Sequence, residues 1–207
     1  MTRSARPVRT RPRRREQPWM KVFVWLYGIL SLVMVPAVTL ILGVHGNALT
    51  TSLSAIGNRP GLRAIFIVWT LAVCAYFVSI VFSLVMLTRN TEANALHIMI
   101  GVTTLALLAF NIIPFLPDRW PVLADLHTRG VLVAALLLAA TLFMLTMTFR
   151  GHYPDLFRQA LVWFLVLFAV VAILYLVFYT AWITESVGII GSAVFLFAVL
   201  VKLYRET

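Results

Sequence analysis

The stretch ALVWFLVLFAVVAILYLVFYTAW, residues 160–182, decides the fold. It contains no charged side chain, and about 20 apolar residues suffice for a helix to cross a hydrocarbon layer of roughly 30 Å. Within such a layer no water can satisfy backbone N–H and C=O groups, so a single run must bond internally as an α-helix. The apolar/polar alternation of a barrel strand is missing from it. Outward from this stretch the same reading applies to residues 22–43, 64–87, 95–115, 130–149 and 187–203. The segments between these runs are short, so neighbouring helices should be antiparallel, with no soluble domain between them. The expectation is an all-α, polytopic integral membrane protein. It is a six-transmembrane-helix bundle over residues 19–207, preceded by a basic tail, residues 1–18.

Of the 207 residues, 62% are hydrophobic, against about 45–50% in a globular protein, which excludes a soluble class. The net charge of +10 would in a soluble chain suggest nucleic acid. Its location argues otherwise. Residues 1–21 hold eight basic side chains and one acid, Glu16, so +7 of the +10 belongs to the amino-terminal end. With seven arginines and three prolines in 18 residues, the tail is expected to be disordered and to associate with anionic lipid headgroups. Nucleic acid is not expected as a partner, because aromatic interleaving and a basic folded face are both missing.

Orientation follows from Lys and Arg in alternate loops. With the amino terminus cytoplasmic, thirteen lie inside (the eight above, Arg89, Arg150, Arg158, Lys202 and Arg205) and four outside (Arg59, Arg63, Arg119 and Arg129). Both termini are therefore expected in the cytoplasm, with the protein a multi-pass component of the cell membrane. The first apolar run is longer than the roughly 7–15 residues of a signal-peptide core and lacks a small-x-small cleavage site, so it is read as a retained helix.

With sides assigned, the polar residues sort unevenly. Ser54, Asp125, His127 and Glu185 fall on the outer side, and the spans hold almost no ionisable group at mid-depth. Pumps and ion channels need such groups and are disfavoured. Asp125 and His127 stand just before the fourth apolar run, where Asp125 would accept from free amides of the first helical turn. His127 at a membrane boundary can donate and accept at once. Glu185 opens the last run, where its charge suits the helix N-terminus. Ser54 sits in a loop rich in Gly, Asn, Ser and Pro, without the GxSxG elbow or SxxK spacing of a serine nucleophile. The single cysteine, Cys74, permits no intramolecular disulfide. No HExxH or HxxxH pair is present, so neither a metal nor a cofactor is expected. Ser79 with Ser83, Ala135 with Ala139, and Gly188 with Ser192 form small-xxx-small faces expected to pack helices together.

The residues Ser52, Leu53, Ser54, Ala55, Ile56 and Gly57, then Asn111 to Pro114 with Pro117 and Asp118, then Leu126 and His127, form a further pattern. In these the chain resembles the bacterial membrane family called domain of unknown function 998, related to the Frag/DRAM/Sfk-type six-span membrane proteins. It departs from the family pattern within span two, where Ile67, Val68 and Trp69 stand in place of an asparagine. The resemblance implies a six-helix fold and, from the eukaryotic relatives, a role around membrane lipids; Ser54, His127 and Glu185 are the residues it points to.

Together these readings favour recognition of a lipid or lipid-linked headgroup at an outward-facing polar pocket. One alternative is an intramembrane lipid hydrolase or acyltransferase using His127 with Ser54 or water; another is a small permease or accessory subunit of a membrane complex. The catalytic residues of such an enzyme are not identifiable from the sequence. The topology is directly testable. A reporter active only outside the cytoplasm should be active when fused after Asn47 or Trp120 and silent after Asn90, and the reverse pattern would invert every side assignment.

Overall fold

The computed structural model describes residues 18–88 and 94–206. The expected tail disorder, and the charges of Arg89 and Glu92, lie outside the described residues. All described secondary structure is helical. The first crossing consists of α1 (Pro18–Ile29), a π-helical turn (Leu30–Met34) and α2 (Val35–Gly43). A short helix, α3 (Leu53–Gly57), follows in the first loop. The other crossings are α4 (Arg63–Thr88), α5 (Asn94–Ile112), α6 (Pro121–Thr148), α7 (Pro154–Phe178) and α8 (Trp182–Glu206). Six helices are thus long and apolar enough to span a membrane. Six crossings bring Pro18 and Glu206 to one face of the bundle; the opposite face, carrying α3 and the loops before α6 and α8, is its mouth.

The crossing helices start earlier than their apolar runs, the fourth and fifth by the most. The helix of the fourth run begins at Pro121 rather than near Gly130. Proline suits the first helical turn, where its missing N–H is no loss, and the polar residues after it continue the helix above the apolar run. Asp125 and His127 therefore lie inside α6, not before it. Likewise α7 starts at Pro154 and ends at Phe178, where Tyr179 takes a positive φ of 53° and turns the chain. The first crossing is not a uniform α-helix either. Pro36 has no N–H to give the carbonyl four residues back, and its ring crowds that carbonyl. The π turn immediately before it absorbs the mismatch, with Val35 N–H donating to the Leu30 carbonyl.

Apolar side chains cover the outside. Val22, Trp25, Val68, Met86, Ile98, Leu105, Val122 and Leu176 are each at least 65% exposed, as expected where the surrounding solvent is hydrocarbon. Lipid tails are as apolar as leucine, so helices associate here through close packing and internal hydrogen bonds. Ser31 Oγ donates to the Tyr27 carbonyl at 2.6 Å, and the Tyr76 hydroxyl lies 2.5 Å from Ser31 Oγ and 3.2 Å from the Ala193 carbonyl oxygen. This buried network joins the first crossing, α4 and α8. Between α5 and α6, Thr103 and Thr141 share a 2.9 Å hydroxyl bond.

The expected packing faces divide. Ser83 Oγ lies 3.4 Å from the Tyr27 hydroxyl, between α4 and α1. Ala135, by contrast, is exposed and Ala139 half-buried. Both line a cavity rather than a tight crossing. The cause is α7: its buried residues, Leu156, Ala160 and Phe164, all belong to its first half. Toward the mouth it stays on α8, with Leu167 and Val171 against Gly191 and Gly188, and stands off from α6.

Gly130 makes room on α6 for the Phe110 ring of α5, since a Cβ there would come within 1.9 Å of it. Gly130→Ala should lower the stability of the detergent-solubilised protein by about 1–3 kcal/mol through overpacking. Gly101→Ala, with nothing within 4 Å of the new Cβ, should leave the thermal unfolding midpoint unchanged or slightly raised.

Candidate functional site

The mouth is built by helix ends that must find partners, since the first amides and last carbonyls of every helix lack intrahelical ones. The first turn of α8 donates to the first loop: Trp182 N–H to the Thr51 carbonyl at 2.8 Å and Ile183 N–H to the Ala48 carbonyl at 3.2 Å. In return Glu185 Oε2 accepts from Leu53 N–H at 2.7 Å, at the start of α3, where Ser52 Oγ accepts from Ala55 N–H at 3.1 Å. Glu185 thus serves the N-terminus of α3 rather than its own, because the loop carbonyls already occupy the amides of α8. The three bonds to Thr51, Ala48 and Leu53 clamp the first loop to the last helix.

The end of α5 is held in the same way from the other side. His127, 3% exposed, places Nδ1 2.6 Å from the Phe110 carbonyl oxygen. A carbonyl can only accept, so this bond assigns the proton to Nδ1 and leaves Nε2 as the acceptor of the neutral ring. Arg63 Nη2 donates to the nearby Ile112 carbonyl. Asp125 takes no part. Its side chain points to the exposed face of α6 and pairs with Arg129 at 3.0 Å, one turn on. It caps no helix start, because α6 begins four residues earlier, and an exposed pair of this kind contributes little.

Ser54, His127 and Glu185, from α3, α6 and α8, line one polar pocket of about 10 Å³ together with Ser52, Phe115, Thr128, Val131 and Thr180. That volume holds about one water-sized group. Four of these residues, Ser54, Val131, Thr180 and Glu185, also line a second, far larger cavity of about 420 Å³. It runs inward between α4, α6, α7 and α8 past Cys74, Leu142 and Phe164. From Phe66 to Phe77 along α4, at about 1.5 Å per residue, its wall extends roughly 16 Å. Its size falls within the roughly 300–1,000 Å³ of small-molecule sites. Apart from Glu185 at the top, the lining has no carboxylate, amine or imidazole.

The cavity is closed on one side and open on the other. Phe66, Trp69, Val73, Cys74 and Phe77 on α4 are buried, whereas Ala135 and Leu136 on α6 and Phe168 and Leu176 on α7 line the same space yet are exposed. The opening therefore faces sideways, along the seam where α7 stands off from α6. Two lining residues, Trp69 and Thr184, bury Nε1 and Oγ1 without a hydrogen-bond partner in the protein.

Of the four residues singled out from the sequence, the structure brings three together and leaves Asp125 apart. No hydrogen bond joins Ser54 to His127 among the described residues; Ser54 contributes its carbonyl to Asn58 Nδ2 at 2.7 Å. Among the described residues no three His, Cys, Asp or Glu side chains are grouped to share a metal ion. Thr128 and Thr180 complete the pocket without any signal in the sequence, being ordinary hydroxyls far apart along the chain. The sideways cavity also had none, since its walls are common Leu, Ala and Phe. Family models, curated proteins and solved structures contain no match to this chain.

Removing the Glu185 carboxylate should release the clamp. Glu185→Ala leaves the Leu53 amide unpaired, so amide exchange across the first loop and α3 should rise and stability fall by about 1–3 kcal/mol. Glu185→Gln, which keeps an acceptor oxygen, should lose much less; equal behaviour of the two variants would show that the bond is not structural.

Proposed function

We propose that this is a multi-pass cell-membrane protein that recognises a lipid or lipid-linked molecule, holding its polar group at Ser54, His127 and Glu185 and its chain in the 420 Å³ cavity. The observation that carries the reading is the junction of the two spaces: a water-sized polar pocket shares four lining residues with an apolar cavity that opens sideways. An amphiphile has that same division of chemistry. Lateral access suits a ligand supplied by the bilayer, and the lower cavity offers it mostly apolar contact. With both termini cytoplasmic, as the charge bias favours, the mouth faces the outer leaflet. The basic tail would then hold the opposite end to anionic headgroups. Membership of the domain of unknown function 998 group is part of this proposal; the stretches that carry the resemblance, around Ser54, Asn111 and His127, all belong to the mouth.

A permease would be favoured by a polar path through the bundle, and the cavity becomes apolar below its mouth. A hydrolase would be favoured by a bond from Ser54 to His127, and His127 is instead tied to Phe110.

Lipid retained by the purified protein is the measurement. Ala139→Phe, which fills the cavity at mid-depth and spares the polar end, should remove most of the co-purified lipid without loss of folding. His127→Ala with Glu185→Gln should change the headgroup profile of what remains. An unchanged lipid profile in both would refute the site.

A further inference from the structure

The large cavity has a floor. Its deepest lining residues are Phe77 on α4, Leu142 on α6, Phe164 on α7 and Ser192 on α8, and all four are buried. The seam between α6 and α7, open at Leu136 and Phe168, closes at this level, because the Phe143 and Phe164 rings meet across it with centroids 5.7 Å apart. Beneath it Leu145, Phe149, Ala160, Leu196 and Leu200 are each 0% exposed, so the bundle is solid there. The side opening and the closed foot thus occupy different depths. From Phe66 to Phe77 on α4, and equally from Val131 to Leu142 on α6, the wall above the floor is roughly 16 Å by helical rise. That is about half of a hydrocarbon layer of roughly 30 Å. Phe164 and Ser192 each stand ten residues into 25-residue helices that run in opposite directions, so the floor lies near the middle of the crossing.

Resting on the lipid-binding reading above, we infer that the cavity measures its ligand's chain: it takes an acyl chain of one leaflet's length, whose methyl end stops on Phe77, Leu142 and Phe164. Carbon–carbon bonds of about 1.5 Å at tetrahedral angles advance an extended chain by about 1.25 Å per carbon, so the depth takes about 12–16 carbons, the upper figure with bends. Moving a chain from bilayer to cavity brings no hydrophobic gain, because lipid tails are as apolar as leucine, so fit decides. A shorter chain leaves the foot empty and forfeits its contacts there. A longer one must turn back through the slot and loses its place on the floor. The slot also lets the second chain of a diacyl lipid stay in the bilayer. A long polyprenyl chain overruns the floor on any path, so the ligand is an acyl lipid rather than a polyprenyl-linked one.

The test uses the full-length protein in mixed micelles and reads bound lipid by native mass spectrometry, as each lipid's bound share over its share in the micelle. The micelles offer saturated diacyl phosphatidylethanolamine and phosphatidylglycerol, with chains from well below to well above the expected length, and a long polyprenyl phosphate. For whichever headgroup is retained, enrichment should peak within the window of about 12–16 carbons. It should fall roughly threefold or more about four carbons to either side, the order of one unfilled methylene-sized void. Phe164→Ala, which opens the floor toward Ala160 one turn below, should move the peak to chains longer by up to about four carbons. Ser192→Leu, which raises the floor, should move it to shorter ones. Either shift suffices should the other variant fold poorly, and the wild-type profile stands without them. A flat profile, a peak outside the window, a peak unmoved by both variants, or polyprenyl phosphate enriched as strongly as the best acyl lipid overturns the inference and leaves the lipid-binding reading standing. Enrichment in wild type no greater than in Ala139→Phe, for every lipid offered, overturns the lipid-binding reading itself.

Discussion

A backbone N–H or C=O in hydrocarbon must find its partner inside the protein and a buried hydroxyl is costly without one, and the rest of this structure depends on that constraint. It makes the six crossings helical. It returns the hydroxyls of Thr39, Thr70, Ser83, Thr104 and Thr146 to carbonyls one turn back on their own helices. Where a hydroxyl reaches another helix, as Tyr76 does to Ser31 and Ala193, it fixes how helices meet, a task that burial of apolar surface cannot perform among lipid tails.

The same requirement acts most strongly at helix ends, and there it assembles the mouth. Free carbonyls of α5 draw in Arg63 and His127; free amides of α3 and α8 draw in Glu185, Ala48 and Thr51. Each of these residues has a structural duty, and two of them, His127 and Glu185, also line the polar pocket. Meanwhile the second half of α7 keeps to α8, with Leu167 against Gly191, and has no fully buried residue, which leaves the apolar cavity beside that pocket. A polar end and an apolar body are thus joined without a dedicated loop or domain.

The legibility of these features in the sequence varies with their range. Runs such as residues 160–182 identify crossings because hydrophobic length is a local property. Helix ends are less visible: α6 continues through Asp125, Thr128 and Arg129 beyond its apolar run, and polar residues there resemble a loop. Ser54, His127 and Glu185 stood out as polar residues on one side of the bundle, and so did Asp125, which faces outward to Arg129. The position of a residue along the chain assigns it to a side of the membrane; its angular position on the helix decides whether it reaches the pocket.

By itself, then, the sequence determined an all-helical chain with six membrane-length helices, because a continuous apolar run allows no other satisfied backbone. Only the tertiary structure decided that Glu185 bonds Leu53, that His127 bonds Phe110, and that both share a pocket with Thr128 and Thr180. Those contacts depend on helix rotation and on the stand-off of α7, which arise from packing between residues distant in the chain and leave no local pattern to read.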